Sequence, residues 1–271
     1  MKSFTTVLFS ILTFTAAAQY KYHEVGLGAA TTHYYGDIGA VQWLPVEGAG
    51  LGQLTVRSQW GWHWSTRWNF SQGQLVGNDA WSASQAKLNR GISFKTGIRE
   101  AALLTEFNFW PYATGSKFTK SFYVFAGLGL TEYTPEGFDP DREQWVDLRS
   151  LGTEGQNTEL ADLLPYGTLS STTLMGMGYR HGLGRDFSAT LELGWRRYGS
   201  DYIDDTSGKY VHPELLAQEN GDLAAYFSNP GGVPFDNGLY RGNPNTKDWA
   251  IFAGVTIFYN IVPRNERCEG F

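Results

Sequence analysis

The sequence predicts an all-β protein, an eight-stranded antiparallel transmembrane β-barrel with short periplasmic turns and long external loops. Three observations predict it: period-two alternation, eight segments that carry it, and connections that alternate between short and long. The clearest segment is Phe187 to Arg197. Phe187, Ala189, Leu191, Leu193 and Trp195 take one face; Ser188, Thr190, Glu192, Gly194 and Arg196 take the other. A soluble sandwich could use such a strand with its polar side in water. Charge and glycine on the polar face, and an aromatic at the end of the apolar face, are instead the pattern of lipid outside and a polar lumen inside.

The composition agrees. The chain has 33 Gly, 10 Trp, 15 Tyr and 17 Phe against 3 Met, an aromatic-rich β composition. Lys2, the apolar run Phe4 to Phe14 and Ala16-Ala17-Ala18 read as a signal peptide over residues 1–18, with export to the cell outer membrane. About 250 residues would remain (19–271), enough for one large β domain. Beyond residue 18 no run approaches about 18 apolar residues, which excludes a helical inner-membrane protein. The net charge of -6 speaks against broad nucleic-acid binding, and the single cysteine, Cys268, allows no internal disulfide.

The eight segments follow in order. In Tyr20 to Tyr35, Val25, Leu27 and Ala29 oppose Glu24, Gly26 and Gly28. In Gly48 to Ser58, Leu54 and Val56 oppose Gln53, Thr55 and Arg57. In Trp64 to Leu75, Thr66, Trp68 and Phe70 oppose Arg67, Asn69 and Ser71. The fourth, about Gly91 to Trp110, alternates only in its second half, where Ala101, Leu103, Phe107 and Phe109 oppose Glu100 and Glu106. In Ser121 to Tyr133, Val124, Ala126, Leu128 and Leu130 oppose Gly127 and Gly129. In Ser171 to His181, Met175, Met177 and Tyr179 oppose Gly176, Gly178 and Arg180. Phe187 to Arg197 is the seventh. The eighth, Asp248 to Ile261, presents Trp249, Ile251, Ala253, Val255, Ile257 and Tyr259 on one face.

Connections 59–63, 111–120 and 182–186 are short, whereas 36–47, 76–90, 134–170 and 198–247 are long. Both chain ends then fall at the short-turn rim. Trp60, Trp62, Trp64, Trp110, Tyr112 and Tyr259 are expected to form an aromatic girdle at that rim, and Tyr34, Tyr35, Trp195 and Trp249 a second one at the other.

The lumen positions carry Glu24, Arg57, Arg67, Glu100, Glu106, Arg180, Glu192 and Arg196, four charges of each sign. Eight strands leave an interior just wide enough for side chains. An unpaired buried charge costs several kcal/mol, so these residues are expected to pair and to fill the lumen. A proton or ion path is the alternative reading of the same residues.

The long loops hold the least repetitive sequence. Residues 134–170 contain Trp145-Val-Asp-Leu148 and Leu151-Gly-Thr-Glu-Gly-Gln156; residues 198–247 contain Asp201-Tyr-Ile-Asp-Asp-Thr-Ser-Gly-Lys-Tyr210. A short helix is expected from Pro213, with Leu215, Leu216, Leu223 and Phe227 as apolar positions and a break at Asn220-Gly221. Asp201, Asp204 and Asp205 are hard oxygen donors that could hold calcium, but they lack EF-hand spacing, and turn-forming Asp needs no metal. His33, expected at the outer rim on the lipid-facing side, is the residue to weigh for a lipid-modifying enzyme, yet no nucleophile motif accompanies it. The reading therefore assigns no catalytic, cofactor or metal residues.

Taken together, the loop motifs resemble the PorG family of small outer-membrane barrels of the type IX (Por) secretion system of Bacteroidota. The resemblance runs from about Gly26 to Cys268. It is sharpest at 151–156 and 201–210, and weaker at Tyr35-Gly36-Asp37, Glu106-Phe-Asn-Phe109, Tyr123-Val-Phe-Ala-Gly127, Arg241-Gly242 and Asp248-Trp249. Arg149-Ser150 and Ser200 depart from the expected Gln-Pro and Thr. The resemblance implies a non-enzymatic component that contacts outer-membrane lipids and anchors or aligns a periplasmic ring of PorK- and PorN-like proteins. Thr153, Glu154, Gly155, Gln156, Asp201, Tyr202, Asp204, Asp205 and Tyr210 are the candidate interaction or loop-capping residues. A periplasmic partner would meet the short turns and 263–271, whereas these motifs would lie outside. They either cap the barrel or bind something else. A general surface or envelope-stabilising barrel, and a lipid-modifying barrel enzyme, are the alternative functions.

Overall fold

The structure, a computed structural model, describes residues 22–40, 49–156, 158, 164–234 and 239–262. The expected signal peptide, Cys268 and the segment 263–271 lie outside the described residues. The strands are β1 Tyr22–Tyr35, β2 Gly50–Gln59, β3 Trp64–Asn78, β4 Ser93–Asn108, β5 Lys120–Asp139, β6 Gln144–Asp147, β7 Leu169–Leu183, β8 Phe187–Tyr198 and β9 Trp249–Ile261. All but β6 form a ring. Each pairs antiparallel with its sequence neighbour, β5 pairs with β7, and β1 closes the circle on β9 from His23↔Ile261 to Tyr35↔Trp249. The result is a closed eight-stranded antiparallel barrel.

β6 was not expected. It pairs only with the far end of β5, from Glu136↔Asp147 to Asp139↔Gln144, so part of the expected long loop is a hairpin standing above the wall. β4 is also one continuous strand, although its first half lacks the expected alternation. The physical reason is an inversion of polarity. In the half of β4 near the short-turn rim, Leu103 faces out and Glu100 and Glu106 face in; farther up, Phe94 and Ile98 face in and Arg99 faces out. The same reversal occurs on β3, where exposed Trp68 and Phe70 give way to buried Leu75, and on β5, where exposed Leu128 and Leu130 give way to Glu132 outside and Tyr133 inside. Below the reversal the outer wall is apolar, with Leu27, Leu54, Leu103, Leu128, Leu191, Val255 and Ile257 all at least 41% exposed.

Inward glycines explain why aromatic side chains fit inside so narrow a ring. A Cβ on Gly194 would lie 2.5 Å from the Phe252 ring of the neighbouring strand, and one on Gly178 would lie 2.6 Å from the Tyr123 ring. Glycine in one strand therefore leaves room for an aromatic in the next, which pins the register as well as filling the lumen. Leu104, Phe125, Leu174 and Phe252 form an apolar layer across the middle.

The aromatic girdles need two corrections. Trp62, Trp64, Trp110, Tyr259 and Tyr35 are exposed, but Tyr112 and Tyr34 are buried. The Tyr112 ring lies under the Arg180 guanidinium, 4.6 Å from ring centroid to carbon, inside the short-turn rim. Tyr34 packs in the core at the other end. That core joins Leu75, Phe94, Ile98, Tyr133, Tyr198 and Ala250 from the strands to Ile38, Ile92 and Ile203 from the β1–β2, β3–β4 and β8–β9 connections. A loop residue sits in the barrel's mouth.

Candidate functional site

Two buried polar assemblies fill the barrel. The first occupies the lumen and contains the eight charges read from the sequence, all 4% exposed or less. Glu106 is its centre. It lies 2.8 Å from Arg57, 2.7 Å from Arg180 and 3.1 Å from Arg67, and it accepts a hydrogen bond from the Ser65 hydroxyl. Arg57 also reaches Glu24 at 2.8 Å, Arg67 pairs with Glu192, and Arg196 lies 3.1 Å from Glu100. Tyr123 donates to Glu192 and Thr131 to Glu100. The guanidinium groups of Arg57 and Arg196 each stack 4.0 Å over a phenyl ring, Phe258 and Phe252 respectively. The carboxylates thus meet arginine across the interior, an arrangement that ties non-adjacent strands together and occupies the lumen.

The second assembly caps the end that bears the long connections, and it is built from both sharp loop motifs. A short helix, Leu148–Leu151, is capped by the Asp147 carboxylate and ends at Gly152, whose φ of 63° is the left-handed conformation that glycine tolerates. This turn places Thr153, Glu154 and Gln156 inward, where all are buried. Glu154 accepts from the backbone N–H groups of Ser207 (3.0 Å) and Gly208 (2.9 Å), and its own N–H donates to the Gln156 side chain. Thr153 donates to Asp205, as does Tyr166. Arg241 lies 3.3 Å from Glu154 and donates to the carbonyls of Ser228 (3.2 Å) and Phe227 (3.1 Å). One guanidinium therefore ties together the 151–156 turn, the 201–210 loop and a helix end.

The remaining motif residues hold this cap to the barrel. Asp201 accepts from the Ser207 hydroxyl at 2.6 Å. Tyr202 stacks on Tyr166 with centroids 4.4 Å apart, and Tyr166 in turn stacks on Tyr133 of β5. The Ile203 carbonyl accepts from Thr96 of β4. Asp204 and Asp248 both contact the Tyr34 hydroxyl. The Tyr210 N–H donates to the Leu239 carbonyl beside a bridge between Lys209 and Tyr240. Gly155, with φ at 83°, turns the chain between Glu154 and Gln156. The expected helix from Pro213 is two helices, Pro213–Asn220 and Asp222–Ser228, broken at Gly221, with Leu216, Ala224 and Phe227 buried and Leu215 exposed.

Most of these motif residues are buried within the cap and bonded to one another or to the barrel. Asp201, Asp204 and Asp205 do not converge as ligands. Each is engaged by hydroxyl or backbone donors, and among the described residues no group of three potential metal ligands occurs. Burial pushes the Asp205 carboxyl up to about 6 despite Arg241 nearby, and pushes Asp201 to about 6 as well. His33 is not on an exposed lipid-facing rim. It is 8% exposed, in a recess with Ile38, Val76 and Trp81.

Arg241, Tyr34, Tyr166 and Asp248 are essential to the cap but were not singled out as site residues from the sequence. Periodicity cannot find them, because each acts across more than 35 residues. The available signal was compositional: a loop rich in carboxylates needs donors from somewhere.

The chain is similar, at low identity, to solved outer-membrane proteins. The attachment invasion locus protein Ail of Yersinia pestis, crystallised with the heparin analogue sucrose octasulfate, is 10% identical with a TM-score of 0.41, over 89% of this chain and 99% of that one. The outer membrane protein OprG from Pseudomonas aeruginosa is 9% identical with a TM-score of 0.41, over 90% and 98%. The outer membrane enzyme PagL is 10% identical with a TM-score of 0.29, over 89% and 99%. At such values the fold rests on the strand pairing itself. No curated protein matches the sequence. The model of a family described as a domain of unknown function, DUF6089, matches residues 1–150, more than half of the 271, and the chain belongs to that family.

Proposed function

We propose that this protein is an outer-membrane barrel with a structural, non-enzymatic role, its lumen filled and its outer end capped, of the general surface or envelope-stabilising kind. The observation that carries this reading is the polarity inversion along β3, β4 and β5. A wall that is apolar outside and charged inside suits hydrocarbon; the same wall with the opposite polarity higher up suits water outside and a packed cap inside. Among the described residues no helix is long and apolar enough to cross a membrane, so the strands are the candidates to do so. The paired charges in the half of the lumen near the short-turn rim favour a filled interior over a diffusion channel. Fractionation of native envelopes and planar-bilayer recording test the reading. The protein should band with the outer membrane, and the purified barrel should give no wide, stable conductance. A soluble protein, or a wide and lasting pore, would overturn it.

A narrower role, anchoring or aligning the periplasmic ring of a type IX secretion machine, is favoured by the resemblance at 151–156 and 201–210. Because those motifs are spent on the cap, ring proteins would have to meet the short turns at the other rim. A mild-detergent pull-down from native membranes tests this. Ring proteins should co-purify and be lost when connections 59–63 and 111–120 are altered. Recovery of the barrel alone, from cells whose ring is intact, would leave the general role standing and remove the narrower one.

A further inference from the structure

The hydroxyl of Tyr34 lies 2.6 Å from a carboxylate oxygen of Asp204 and 2.5 Å from one of Asp248, and it also accepts the backbone N–H of Asp37 at 3.2 Å. A phenol has one proton to donate and two lone pairs. It can donate to one carboxylate and accept from Asp37, but the second short oxygen–oxygen contact then needs a proton of its own. That proton must sit on a carboxyl. The remaining oxygens of the pair accept from Thr206 N–H and Ile203 N–H, so both carboxyls are built into the loop that enters the barrel's mouth.

We propose that the cap is a proton-held latch: Asp204 and Asp248 share one proton through Tyr34, and its loss releases the 201–208 loop from the rim. The surroundings support this. On the barrel wall the pair faces Tyr133 and Tyr198; from the β1–β2 connection it faces Asp37; and on its own connection it faces Asp201, with Lys247 acting on Asp201. Asp205, next in sequence, is engaged by Thr153, Tyr166 and Arg241 in the Glu154 cluster. From the β3–β4 connection, Lys87 and Arg90 reach toward Asp204, but Arg90 is committed to Asp79 and Lys87 to the Gly39 carbonyl. Among the described residues neither Asp204 nor Asp248 has an ion-pair partner within salt-bridge distance.

Burial, followed for Asp204 by the Asp248 charge, pushes that carboxyl well up; burial raises Asp248 to about 7. Carboxyls raised in the folded state stabilise it below their unfolded value near 4, and that contribution is lost as pH rises through the folded value. The latch is therefore closed in acid and loosened in alkali, opening when the Asp204–Asp248 pair loses its last proton, above the ordinary carboxylate range.

Hydrogen exchange on the full-length barrel in detergent, at pH 5.5 and pH 9, tests the latch. Each rate is divided by the intrinsic exchange rate at the same pH. Protection at Ile203, Thr206, Ser207 and Gly208 should fall at least about tenfold between the two conditions, the effect of one pK unit, while the lumen-wall strands stay constant. Asp248→Asn supplies a neutral carboxamide and should keep the loop protected at pH 9. Equal wild-type protection at both pH values would overturn the latch without any variant. So would an Asp248→Asn protein that folds and loses protection in alkali as the wild type does.

Discussion

The lumen and the cap are both buried, polar and dense in carboxylates, yet they neutralise charge by different means. In the lumen, four glutamates face four arginines, and Glu106 alone touches three of them. In the cap, Asp201, Asp204, Asp205, Glu154 and Asp248 are met chiefly by hydroxyls and backbone N–H groups, with Arg241 the cation at the Glu154–Asp205 side. Guanidinium groups stay charged at any pH a cell meets, so a network built on them holds its ionisation. Hydroxyls and amides carry no charge, so carboxyls held by them retain protons more readily as burial deepens. The difference teaches that similar burial can give a fixed pillar in one place and a titratable joint in another.

The largest effect expected is on the pillar. Glu106→Ala leaves Arg57, Arg67 and Arg180 crowded without their shared anion, and breaking such a buried pair costs about 3–5 kcal/mol. Urea unfolding of the barrel, followed by tryptophan fluorescence, should show that loss. A change under about 1 kcal/mol would mean that the arginines are solvated and screened by water rather than held by Glu106. Arg241→Ala should act next, and only on the cap. Removing a buried donor group that serves two carboxylates and several carbonyls costs about 1–3 kcal/mol or more. Proteolytic nicking within 199–248 should accelerate while the barrel's urea midpoint stays put. A midpoint that fell with it would show that cap and lumen unfold as one unit.

A third measurement sharpens the same contrast. Between pH 5.5 and 9 the urea midpoint of the barrel should hold nearly constant, because its central carboxylates are paired with arginine, whereas nicking of the cap should rise with pH. A parallel loss at both ends would erase the distinction drawn between them. The smallest effect belongs to a pair outside both networks. Arg99 and Glu132 lie 3.4 Å apart on the outer wall with side chains 70% and 54% exposed. Arg99→Ala should change stability by less than about 1 kcal/mol, and the urea midpoint used for Glu106→Ala reads it directly.

Legibility in the sequence followed the periodicity. Ser188, Thr190, Glu192, Gly194 and Arg196 could be placed on one face from spacing alone, and the charges on that face could be matched by sign before any contact was visible. The upper half of β4 was assigned no faces from the sequence, because Phe94 and Ile98 face inward where Lys95 and Arg99 face out, a pattern that makes sense only once the surroundings change from lipid to water. Tyr34 and Tyr112 were placed in girdles for being aromatic near a rim, although one holds two carboxyls and the other lies against Arg180. The cap motifs stood out as unusual sequence; Arg241 and Asp248 stood out only as weaker marks of the resemblance, with nothing in the sequence to join them to the cap.

What the sequence by itself determined was the barrel: eight alternating strands, the side of each that turns inward, and connections short at one rim and long at the other. Side-chain direction along a strand is a local, period-two property, so it is written into neighbouring residues. What only the tertiary structure decided was the cap, the joining of 151–156 to 201–210 through Arg241, and the meeting of Tyr34 with Asp204 and Asp248. Those contacts span from 87 to 214 positions between Glu154 and Arg241 and between Tyr34 and Asp248. No periodicity encodes such distances; they exist because ring closure brings the ends of strands far apart in sequence to one mouth.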